Sequence, residues 1–77
     1  MTLFYFDVNN GVDTPDDTGT HLADRATARA EALAVLAPIV AELMPDDVRC
    51  SVSVTVRDEE KRPIFHASLA LVEDWIG

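Results

Sequence analysis

Seventy-seven residues provide for one small core and exclude a second domain. Fourteen acidic against six basic side chains give a formal charge of −8. Arg25, Arg29, Arg49, Arg57, Lys61 and Arg62 are scattered among acids rather than clustered. Nucleic acid and anionic membrane surfaces both demand a concentrated patch of cations, so this balance argues against either as a partner.

The opening stretch LFYFDV predicts a strand, with Phe4, Phe6 and Val8 on one face and Leu3, Tyr5 and Asp7 on the other. Asn9-Asn10-Gly11 is a turn signal. It predicts a hairpin into Val12–Thr14 or into Gly19–Leu22, kept short and irregular by Pro15. The N-terminus lacks the basic start and long apolar run of a secretory signal, because Asp7 interrupts it. No stretch approaches the roughly 20 apolar residues of a membrane span. With a lone Cys50, which excludes a disulfide within the chain, the expectation is a soluble cytoplasmic protein.

Asp24 is placed to cap a helix, since its carboxylate can accept from free N–H groups of the first turn. The run ATARAEALAVLAPIVAELM is rich in strong helix formers. A wheel of 3.6 residues per turn assigns Ala26, Ala30, Leu33, Leu36, Ala37, Val40, Leu43 and Met44 to the core side. A second apolar stripe, Ala28, Ala32, Val35 and Ile39, lies to the side of it. Pro38 removes a hydrogen bond and predicts a kink or two short helices, and Pro45 with Asp46-Asp47 ends the segment.

From Val48 to Arg57 valines and Cys50 alternate strictly with polar residues, the pattern of a strand buried on one face. Asp58–Arg62 is a charged turn. The returning strand runs from Pro63 to Leu71, with Phe65, Ala67, Leu69 and Leu71 toward the helix. Ile64, His66, Ser68 and Ala70 then point away, and the tail VEDWIG ends apolar with Trp75 and Ile76. The fold class is α+β: a β(β)αββ layout, with an antiparallel sheet of three or four strands and one helix on one face.

LFYFDV, DDTGTHLADRATARAEA, VSVTVRDE and IFHASLAL together resemble a family of small bacterial proteins known only as a domain of unknown function. Such proteins combine an aromatic first strand, an acidic-Gly-x-x-Leu loop and an Ala-Arg-x-Glu-Ala helix. The matching positions are Tyr5, Phe6, Asp16, Asp17, Gly19, Leu22, Asp24, Ala28, Arg29, Glu31 and Ala32. Pro38 and the glycine-free turn DEEKRP depart from the pattern. The resemblance implies a layout and no activity. In layout alone the chain is also similar to small antitoxin-like domains.

The loop from Gly11 to Asp24 concentrates acids, yet it is not a metal site. A calcium loop starting at Asp13 would place Pro15 at its third position and Thr18 at the glycine position. Zinc would require three or four Cys or His ligands, and His21, His66 and Cys50 stand singly. The structural reading is a turn built by Asp16, Asp17 and Gly19, with Arg29 reaching back to Asp16 or Asp17 to anchor the loop on the helix. His66, Ser68, Ser51, Ser53 and Tyr5 share the outer sheet face, but a triad also needs a water-excluding pocket. Neither catalytic residues nor a cofactor are therefore expected. The apolar surplus at Ala28, Ala32, Val35, Ile39, Ile64, Trp75 and Ile76 points instead to a contact surface. The favoured function is a non-enzymatic interaction module acting as a homodimer. The alternative is an acidic, antitoxin-like or nucleic-acid-mimicking regulator of a basic protein partner.

Overall fold

A computed structural model describes residues 1–43, 49–72 and 75–76. Among these, one helix packs on a five-stranded antiparallel sheet. The elements are β1 (Thr2–Asn9), β2 (Asp13–Thr14), β3 (Thr20–Leu22), α1 (Arg25–Leu43), β4 (Arg49–Arg57) and β5 (Pro63–Val72). The α+β layout expected from the sequence holds. Both candidate hairpin partners form, so the polar segment contributes two short strands rather than one.

The strand order is β2-β1-β4-β5, with β3 also pairing with β1. β2 meets Val8 and Asn9, whereas β3 meets Thr2, Leu3 and Phe4. The opposite end of the sheet is β5, paired among the described residues only with β4. Asn10-Gly11 makes the first turn with Gly11 at φ 103°, in the left-handed region open to glycine.

Val52, Val54 and Val56 are buried on one face of β4, joined by Phe4 of β1. Phe6 and Val8 lie opposite Val56 and Val54, and Phe65 and Ala67 lie opposite the same two valines from the other side. The helix lies over β4 and β5 and buries Ala28, Ala32, Leu36 and Val40 against this face. Asp24 caps it as expected: its carboxylate accepts from the Thr27 N–H at 2.8 Å and from the Thr27 hydroxyl at 2.8 Å.

The rotation of the helix departs from the sequence reading. Ala28 and Ala32, expected on a side stripe, are its most buried residues, while Ala26, Ala30, Leu33 and Ala37 face solvent. Alanine-rich helices are apolar on every side, so periodicity alone leaves the phase open. Packing settles it, because Ala28 and Ala32 rest on the valines of β4 and the Ala26–Ala30–Leu33 stripe is left outside. Turning this stripe outward also lets methyl-sized side chains approach the valines closely. Pro38 is exposed within one uninterrupted helix, so the chain does not split into two. Residues 44–48, and the side chains of Leu43, Cys50 and Leu71, lie outside the described residues.

A second departure occurs at the β4–β5 turn. Val56 pairs with Phe65 but Arg57 pairs with Pro63, which makes Ile64 the extra residue of a β-bulge. The bulge turns Ile64 onto the core instead of the outer face. Lys61 takes φ 65°, doing in this turn what a glycine does elsewhere.

The helix phase is testable by enlarging one alanine on each side. Ala32→Leu should cost about 1–3 kcal/mol in urea unfolding through overpacking. Ala30→Leu, on the exposed side, should stay within about 0.5 kcal/mol of wild type.

Candidate functional site

The sheet face away from the helix gathers most of the polar side chains that the strands carry. Tyr5, Asp7 and Asn9 of β1 lie opposite Arg57, Thr55 and Ser53 of β4, and Thr55 and Ser53 lie opposite His66 and Ser68 of β5. Alternation puts all of these on one side. The sequence reading placed Tyr5, His66, Ser51, Ser53 and Ser68 here, and the register agrees.

Arg57 organises the face. Its Nη2 donates to Asp7 Oδ1 at 2.9 Å and to the Asp16 carbonyl at 3.2 Å. Nε lies 2.7 Å from Asp7 Oδ2, an ion-pair contact without the angle of a hydrogen bond. The guanidinium also lies 5.1 Å from the centre of the Tyr5 ring, with the Lys61 ammonium 5.5 Å away. Tyr5 is consequently buried to 8% exposure although it stands on the open face.

Asp16 is the second anchor. One carboxylate oxygen accepts from the Phe6 N–H at 3.1 Å, occupying the gap between β2 and β3 along the edge of β1. The other accepts from the Thr18 and Gly19 N–H groups, each at 3.0 Å. Its own N–H donates to Asp7 Oδ1 at 2.9 Å. Burial pushes the Asp16 carboxyl up, but the N–H groups of Gly19, Phe6 and Thr18, with Arg57 nearby, outweigh it and hold the group below the usual carboxylate range. Gly19 takes φ 77°, and a Cβ there would meet Leu3 Cδ1 at 2.7 Å. A side chain here would be strained by the left-handed φ and would have to displace Leu3, so glycine is what lets the loop close tightly on β1.

The expected Arg29 anchor is therefore corrected to Arg57. Arg29 and Asp17 are exposed, and only Asp16 of the three proposed residues ties down the loop. Sequence distance hid the true partner, because Arg57 and Asp7 are 50 residues apart. Their shared parity on the outer face of two adjacent strands was the available signal.

Beside this clasp is an open recess of about 280 Å³ lined by Asp7, Asp13, Pro15, Thr55, Arg57 and Pro63. Its one guanidinium is already engaged by Asp7 and the Asp16 carbonyl. Thr55 Oγ1 and His66 Nδ1 are 3.0 Å apart, a contact that ties two neighbouring strands. No group of three His, Cys, Asp or Glu side chains among the described residues could hold a metal ion. No helix among them is long and apolar enough to cross a membrane.

The proposed contact residues fall into three groups. Ala28 and Ala32 are core, which removes them from any surface. Ile39 and Ile64 pack on that core, with Val35 half-buried. Trp75 and Ile76 are fully exposed.

No curated protein and no solved structure matches the chain. A family model described as Domain of unknown function (DUF6894) matches residues 3–70, and the chain belongs to that family.

Replacing the edge-filling carboxylate gives a measurable test with a defined pH sign. Asp16→Ala should lower stability at neutral pH by about 2–3 kcal/mol, as expected for charge-assisted hydrogen bonds to backbone donors. The Asp16 pKa is depressed in the folded state, so its stabilisation is present above the unfolded-chain value and fades as acid protonates the folded group. Urea unfolding should accordingly show the gap between variant and wild type narrowing as the pH falls below the usual carboxylate range.

Proposed function

For a chain of this family, we propose a non-enzymatic interaction module that works as a homodimer in the cytoplasm, joined edge to edge through β5. The observation that carries the reading is the asymmetry of the sheet. The outer edge of β1 is filled by β2, the Asp16 carboxylate and β3. β5, a strand of ten residues, by contrast pairs only with β4 among the described residues. Natural proteins protect a free edge with lysine, inward charges, proline or a cover. PIFHASLALV carries no Lys, Arg, Asp or Glu, and its only proline stands at the first position, where it is tolerated.

Antiparallel pairing of two β5 strands about a twofold axis satisfies both edges at once and makes one continuous sheet. It also supplies cover for Leu69, which is 41% exposed beside that edge. Thr55 with His66, and Arg57 with Asp7 and the Asp16 carbonyl, are engaged with one another on the open face, which supports an interaction role over a chemical one.

A second reading, an acidic regulator of a basic protein, is favoured by the formal charge of −8. The two differ in salt response: an ionic heterocomplex weakens as ionic strength rises, whereas backbone strand pairing does not.

Sedimentation equilibrium should give the mass of a dimer, insensitive to added salt. Ser68→Asp places two carboxylates beside the twofold axis and should weaken association by roughly tenfold or more, since like charges across paired strands repel. A monomeric wild type at all concentrations, or an unaffected variant, would overturn the edge-pairing reading.

A further inference from the structure

The mouth between the start of α1 and the β4–β5 turn is a feature that the clasp and the β5 edge leave without a role. Two adjoining recesses of about 300 Å³ and about 490 Å³ share Arg25 and Ile64. Their combined size is that of an ordinary ligand or side-chain pocket. The floor is apolar, formed by Phe4, Val56, Ile64 and Phe65. Ile64 reaches this floor only through the β-bulge.

The rim is unusual for so acidic a chain. Arg25, Arg29 and Arg62 border the two recesses, half of all the cations in the sequence. Arg62 is already paired with Asp58 and Glu60. Among the described residues Arg25 and Arg29 make no ion pair. The two carboxylates in the mouth are engaged: Asp24 caps the helix, and Asp58 accepts from the N–H groups of Glu60 and Arg62. The cleft thus presents grease below and free positive charge above, which suits an apolar side chain preceded by acids.

The chain carries one such segment. Glu73 and Asp74 immediately precede Trp75 and Ile76, whose side chains are fully exposed at 104% and 97%. A molecule's own tail does not reach its own cleft. From Val72 back to Ile64 the strand measures about 26 Å at 3.3 Å per residue, while the four steps from Val72 to Ile76 span at most about 14 Å. A twofold pairing of β5 centred on Ser68, which keeps the core-facing residues of both copies on one side, sets Val72 of one copy opposite Ile64 of the other. The outgoing tail is then delivered to the partner's β4–β5 turn, at the lip of the cleft.

We infer that the cleft bordered by Arg25, Arg29 and Ile64 receives the Trp75–Ile76 segment of a second copy, with Glu73 and Asp74 meeting the two free arginines. The inference rests on the β5 pairing proposed above and adds to it a reciprocal exchange of tails. Trp75 supplies the apolar anchor, and the charges select the register.

Trp75 is the only tryptophan, so its fluorescence reports this contact alone. Sedimentation and emission should be followed together across one dilution series of the full chain. The expected result is a blue shift and protection from acrylamide quenching that appear with dimer mass. R25E/R29E and E73R/D74R should each weaken the dimer by roughly tenfold or more, because each brings like charges together across the interface. Mixing the two variants should restore wild-type affinity, since both clefts of the mixed dimer then face opposite charge.

A dimer whose Trp75 emission remains that of a water-exposed indole would overturn the tail exchange and leave strand pairing standing. Monomers throughout would overturn both. A blue shift already present in the monomer would assign the tail to its own chain and overturn the exchange. Variants that mixing does not rescue, with octanoate taken up equally by wild type and Trp75→Ala, would reassign the cleft to a small apolar acid.

Discussion

The fit of two alanines against three valines governs this molecule. Ala28 and Ala32 let the helix backbone approach the sheet closely, and Val52, Val54 and Val56 give it a flat branched surface to rest on. Each partner is nearly or wholly removed from water. A single helix over β4 and β5 can seal only that much of a five-stranded sheet. The remaining surface must be satisfied by other means, and the two sheet edges and the outer face show how.

The outer face uses charge where it has no helix. Arg57 bridges Asp7 and the Asp16 backbone while covering Tyr5, so one side chain fixes the loop, the first strand and an aromatic ring together. A part-buried ion pair of this kind is worth keeping only if every member is partnered, because a charge left alone in such a site is costly. Asp16 meets that condition by drawing N–H groups from both β1 and its own loop. The result is an edge closed by a side chain where a longer β2 would otherwise be needed.

Much of this was legible in the residues. The alternation of Val52, Val54 and Val56, the cap at Asp24 and the Asn-Gly turn each reflect a local rule, and each appears where that rule puts it. What escaped was non-local. Helix phase was ambiguous because alanine is apolar at any angle, and Arg29 was read as an anchor although it stands exposed and the loop is held by Arg57. Ile64 changed faces because a bulge breaks the period of two, and a bulge is set by the turn that Lys61 and Asp58 build together. The anchor of the loop lay across the whole helix in sequence. No local pattern connects Asp16 to Arg57, although the shared face of Asp7 and Arg57 does.

The pairing of β1 with β4 bears also on how the chain reaches this form. β4 and β5 are joined by a short turn and can zip early, and α1 is local by nature. The first strand must wait for a partner that lies beyond the helix, with Tyr5 meeting Arg57 and Asn9 meeting Ser53. Closing so long a loop before any contact rewards it slows two-state folding relative to helical bundles of equal size. Until that closure β1, aromatic-rich and paired only with the short β2 and β3, keeps the edge that β4 will take open to other chains.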